Sequence, residues 1–75
     1  MEEKLISIAT RMLGLTEGEV TIESTPTNTM NWDSLAHMRL ILEVEDQFGL
    51  ELDESEIIEI VDMKSLSDTI LRHQD

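Results

Sequence analysis

Asp33-Ser34-Leu35-Ala36-His37-Met38-Arg39-Leu40-Ile41-Leu42-Glu43-Val44-Glu45-Asp46-Gln47-Phe48-Gly49 is the stretch that decides the fold. Leu35, Met38 and Leu42, with Leu40, Ile41, Val44 and Phe48, form a wide apolar stripe at helical spacing over about residues 34–48. Asp33 has the side chain of an N-cap acceptor, and Gly49 supplies a stop. The spacing therefore predicts a helix with Leu42 and Phe48 in the core and Ser34 exposed in its first turn.

Working outward, Leu5, Ile8, Ala9, Met12 and Leu13 recur at helical spacing, so roughly residues 2–13 read as an amphipathic helix that Gly14 stops. Glu2 and Glu3 lie in its first turn, where the helix dipole favours acids. About Leu15 to Trp32 is a polar, Thr-rich stretch with Pro26. Val20, Ile22 and Met30 are expected to pin it to the core, and a loop this long usually has a function. Beyond Gly49, Asp53-Glu54-Ser55-Glu56 has capping-box spacing and opens a short helix with Ile57, Ile58, Ile60 and Val61. Asp62 or Ser65 caps a last helix containing Leu66, Ile70 and Leu71. No strand-like alternation persists. The expectation is an all-α four-helix bundle with a long first loop and a short third helix, a single domain over residues 1–75.

The chain has 75 residues, 17 Asp+Glu against 5 Lys+Arg, and a net charge of −12. Nucleic-acid binding needs a cationic footprint, and so does a polybasic membrane anchor. No apolar run approaches the roughly 20 residues of a spanning helix. Met1-Glu2-Glu3-Lys4 lacks the basic and then apolar start of a signal peptide. A cytoplasmic monomer with no nucleic-acid or membrane partner is the expectation. There is no Cys, hence no thiolate metal site and no cysteine nucleophile. Trp32 and Phe48 are the only aromatic residues, so Leu, Ile, Val and Met must build the core. Nine of the acids fall between Glu43 and Asp62, a span with no Lys or Arg. It reads as a solvated face or as a docking surface for basic partners.

Ser34 is the candidate functional residue. One place inside a capped helix, its hydroxyl lies near free backbone N–H groups, and these favour an anion such as a phosphodiester on Oγ. Asp-Ser before an apolar run also occurs as a plain cap. Asp33, Ser34 and His37 invite a hydrolase reading, but a triad needs the Asp behind the His, and no Gly-x-Ser-x-Gly elbow is present. A calcium loop would need Gly where Ile58 stands, so no metal site is expected. His37, one turn beyond Ser34, is expected to be exposed and able to pair with a phosphate. Trp32 reads as a plug tying loop to helix, or as a contact for whatever Ser34 bears.

The Asp33–Gly49 stretch resembles the second helix of acyl carrier proteins, whose motif is Asp-Ser-Leu followed by a Leu/Val-rich helix ending in Glu-Glu-x-Phe. Leu13-Gly14-Leu15, the long loop, and Leu52-Asp53 before a short acidic helix extend the resemblance along the whole chain. It implies that a phosphopantetheinyl transferase moves 4′-phosphopantetheine from coenzyme A to Ser34; by their positions Trp32, Asp33 and His37 are expected to flank the group. It also implies that the arm's thiol presents acyl groups to loading and processing enzymes, and that the chain itself catalyses nothing. Partner contacts carried over are Leu35, Arg39, Leu42, Glu43, Glu45, Asp46, Glu54 and Ile57. Ala36 and Arg39 stand where carriers of fatty-acid synthesis often have acids, His37 is a further departure, and Trp32 replaces a small residue. These departures favour a discrete carrier of a specialised pathway, such as polyketide assembly, over the fatty-acid role. The alternative is an unmodified acidic helical adaptor for a basic protein partner.

Overall fold

The computed structural model describes residues 2–74. Four helices follow in order: α1 (Glu2–Met12), α2 (Ser34–Phe48), α3 (Glu54–Glu59) and α4 (Met63–Arg72). No strand occurs among the described residues. The all-α bundle with a long first loop and a short third helix is thus as the spacing predicts.

Local chemistry sets the starts of α2, α3 and α4 and the stop of α2. Asp33 caps α2 by accepting the Ala36 N–H at 2.8 Å. Gly49 closes it at φ 64°, and its N–H bonds the Glu45 carbonyl, a left-handed cap that glycine adopts without a Cβ clash. Asp53 and Asp62 each open their helix with a capping box, Glu56 and Ser65 supplying the reciprocal side chains. The cap of α4 is therefore Asp62, with Ser65 as its partner inside the helix.

Helix α1 packs against both α2 and α4. The core between them contains Leu5, Ile8, Ala9 and Leu13 from α1 and its end, Leu40, Ile41 and Val44 from α2, and Met63, Leu66 and Ile70 from α4. Val20 and Trp32 from the long loop, Leu52 before α3 and Ile60 after it complete the cluster. The loop is fixed by hydrogen bonds as well as by Val20. The Ser24 carbonyl accepts the Met63 N–H at 3.1 Å, joining the loop to the start of α4. At its far end Asn31 adopts φ 67°, a left-handed conformation that Asn tolerates better than most residues. The Asn31 side-chain amide donates to the Leu13 carbonyl at 3.0 Å. This turn drives Trp32 inward, next to Ser34.

Four expectations are corrected. Leu42 is 60% exposed, because Leu40, Ile41 and Val44 already fill the inward face and residue 42 lies across the helix from Val44. Met30 is 71% exposed, since the Asn31 turn leaves Trp32, not Met30, to pin the loop. Helix α3 ends at Glu59, so Ile60 and Val61 lie outside it, Ile60 turning into the core and Val61 out to solvent. His37 is half-buried rather than exposed. Phe48 packs partly buried against the core, and Ile22 is half-buried.

Candidate functional site

Ser34 is the first residue of α2 and is exposed. The Asp33 side chain takes the Ala36 N–H, and the Asp33 carbonyl takes the His37 N–H at 2.9 Å. The N–H groups of Ser34 and Leu35 have no acceptor within the helix, as at any helix start. No acid occupies the first turn of α2. The positive end of the dipole is therefore directed at whatever the Ser34 oxygen bears, and an anion there is favoured.

Beside Ser34 lies an open groove of about 610 Å³, walled by Pro26, Trp32, His37, Met38, Ile60 and Val61 together with Asp33 and Ser34 themselves. Trp32 is only 5% exposed and forms the floor, so it acts as the plug the sequence offered. Its Nε1–H donates to His37 Nδ1 at 3.0 Å, and His37 Nε2 lies 3.1 Å from the Ile60 carbonyl oxygen. The two rings stack at 6.0 Å between centroids with 28° between planes. Periodicity gave no sign of the Ile60 and Val61 wall, because it places both within the short third helix, whereas they sit past its end.

These bonds also dispose of the Asp33–Ser34–His37 triad. Both His37 nitrogens are engaged by groups other than Ser34, and the Asp33 carboxylate faces the Ala36 amide. Asp33, Ser34 and His37 form no Ser–His–Asp relay.

The outward face of α2 continues from the groove. Leu35, Met38 and Leu42 are exposed there, and Arg39 and Asp46 share the face by helical register. Among the described residues Arg39 and Asp46 have no ion-pair or hydrogen-bond partner from a side chain. The other acids named from sequence divide into two kinds. Glu43 accepts from Arg11 at 3.1 Å and from Gln47 at 2.8 Å. Glu45 accepts the Leu52 N–H at 2.7 Å and so tethers the strand of chain leading to α3. Glu54 is exposed, and Ile57 packs partly buried on the core. Spacing alone had no means to separate Glu43 and Glu45, which are bound within the chain, from Asp46 and Glu54, which face water.

Comparison with known proteins decides what this arrangement belongs to. The family model described as "phosphopantetheine attachment site" matches residues 3–70. The acyl carrier protein of Rubrobacter xylanophilus is 33% identical over 72 residues, 96% of this chain and 89% of that protein. The acyl carrier protein of Buchnera aphidicola is 32% identical, covering 97% of this chain and 94% of that protein. The chain belongs to the acyl carrier protein family. Its fold is also that of the holo acyl carrier protein from Geobacter metallireducens, solved in solution, with a TM-score of 0.81 at 23% identity over 93% of this chain and 80% of that one.

Members of the family are carriers and not catalysts, and the group they bear is covalently attached 4′-phosphopantetheine. The residues present fit that group. An exposed hydroxyl stands at a helix start whose first turn has no acid, and the chain has no Cys to compete with an imported thiol. Among the described residues no helix is long and apolar enough to cross a membrane.

Proposed function

We propose that Ser34 is the attachment residue and that this chain is a monomeric, cytoplasmic carrier domain, serving a specialised assembly pathway such as polyketide or modified-acid synthesis. The observation that supports this reading most strongly is the exposed Ser34 hydroxyl at the start of α2, beside an apolar groove and at the head of an outward apolar face. When bound, the phosphopantetheine group supplies a terminal thiol that holds acyl groups as thioesters. Ser34 Oγ provides the oxygen for the phosphodiester. The free N–H groups of Ser34 and Leu35 stabilise its charge, and Asp33 keeps the helix start in register.

Leu35 and Leu42 serve as the apolar contacts for a modifying transferase and for acyl-loading and acyl-processing enzymes. Asp46 and Glu54 face basic groups on those enzymes, steering association. Arg39, in the middle of the same face, asks for an acidic or polar group opposite it. This reversal of charge between Leu35 and Leu42 supports a specialised partner set rather than the fatty-acid one.

The test is intact mass after incubation with coenzyme A, Mg²⁺ and a broad-specificity phosphopantetheinyl transferase, followed by peptide mapping. One phosphopantetheine on the peptide containing Ser34, and none on Ser34→Ala, is expected. No gain on wild type, or an equal gain on Ser34→Ala, overturns the reading and leaves the chain as an unmodified adaptor.

A further inference from the structure

Helix α3 is attached weakly by burial. None of its six residues is buried, and Ile58 faces solvent. Its position is set by Leu52 and Ile60 in the core at its ends, by Ile57 packed partly buried against that core, and by polar ties. Two ties come from the end of α4: His73 Nε2 lies 2.6 Å from Glu56 Oε2, and Arg72 lies 3.7 Å from Glu59. The tie to the start of α2 is His37. The indole N–H of Trp32 is a donor only, so His37 Nδ1 must be the acceptor at 3.0 Å, and Nε2 must carry the hydrogen that meets the Ile60 carbonyl at 3.1 Å. One tautomer of the neutral ring satisfies both contacts. Ile60 sits at φ −80°, ψ 108° just after the helix, where its carbonyl has left the helical ladder and is free to accept.

We infer that His37 is a positioning residue for the Ser34 site. Its imidazole ties the end of α3 to the first turn of α2, so an enzyme approaching Ser34 meets Leu35, Met38 and Val61 as one surface already in place. The inference rests on the reading of Ser34 as the attachment residue. A surface ordered in advance saves the enzyme the cost of ordering it on binding. Loss of the tie therefore appears in binding and not in transfer to Oγ, which His37 does not touch.

Two variants separate the contacts. His37→Asn keeps an acceptor near the Nδ1 position for Trp32 but does not reach Ile60. His37→Gln places an amide N–H near the Nε2 position and keeps the link to Ile60. With the full chain and a broad-specificity transferase, His37→Asn should raise KM about fivefold to tenfold, the factor that one hydrogen bond's net contribution corresponds to, with kcat unchanged. His37→Gln should return KM toward wild type. Hydrogen exchange at the Ile57 and Ile60 amides, bonded at 3.0 and 3.2 Å to the Asp53 and Ile57 carbonyls, should speed up by a similar factor in His37→Asn while α1 amides keep their protection. Unchanged KM in His37→Asn, a fall in kcat instead, or unchanged exchange in α3 overturns the inference. So does a loss of protection in α1 and α3 alike, which would make His37 a residue of the global fold. If wild type accepts no phosphopantetheine, the attachment reading fails, and the exchange measurement still decides whether His37 holds α3.

Discussion

Helices α2 and α4 distribute their apolar residues in opposite ways. In α4 five of ten residues are buried, Met63, Leu66, Ser67, Thr69 and Ile70, and the rest of the helix is mostly polar. In α2 only Leu40, Ile41 and Val44 are buried among fifteen residues, while Leu35, Met38 and Leu42 are exposed on the other side. A helix with one apolar face is accounted for by the core it joins. A helix with two such faces has one that folding does not use, and on α2 that second face begins one residue after Ser34. Exposed apolar residues grouped this way mark an interaction surface.

The largest effect that can break or sharpen this contrast is on the inward face. Leu40 is 0% exposed, and Leu40→Ala should destabilise the chain by about 2–5 kcal/mol, read as a lower urea midpoint. A small loss there would mean that the core is not where the packing puts it. Next in size is the cap. Asp33→Ala removes the acceptor of the Ala36 N–H and should cost about 1 kcal/mol, seen as a lower melting temperature with most helical circular dichroism retained.

Acid should act through the other caps. The Ser65 N–H, and then its hydroxyl, hold the Asp62 carboxyl below the ordinary carboxylate value, and the Glu56 N–H with the Ser55 hydroxyl does the same for Asp53. A carboxylate depressed in the folded state contributes stability that is present near neutral pH and is lost as pH falls through the folded-state value. Urea midpoints should therefore drop as pH is lowered below about 4. Asp62→Asn, which keeps a capping side chain without the titration, should flatten part of that slope. An unchanged slope would show that the cap is not its source.

Smaller still is the response to salt. With a net charge of −12 and nine acids between Glu43 and Asp62, raising ionic strength to about 0.15 M, where the Debye length is about 8 Å, should raise the melting temperature by a few degrees. Melts indifferent to salt would count against self-repulsion in that acidic region.

Much of this was legible in the sequence, for physical reasons that can be named. Helix starts and stops are local chemistry, and Asp33, Gly49, Asp53 and Asp62 act within a few residues of themselves. Trp32 as a plug followed from its being one of two aromatic residues beside a capped helix. Leu42 escaped because seven apolar residues on α2 exceed what one face can bury, and periodicity does not say which edge is left over. His37 escaped because its partner, Ile60, lies 23 residues away and is recognised through a backbone carbonyl, which any residue possesses. The split between Glu43 and Glu45, bound internally, and Asp46, facing water, likewise depends on Arg11 and on the Leu52 amide, not on any pattern within α2.

The division of α2 into a folding face and a recognition face is tested most directly by Leu42→Ala, measured for phosphopantetheine transfer to Ser34 and for urea stability in the same buffer. The expected result is a stability within about 0.5 kcal/mol of wild type together with a KM for the transferase raised several-fold. A loss of stability of the size expected for Leu40→Ala, or transfer kinetics identical to wild type, would contradict it.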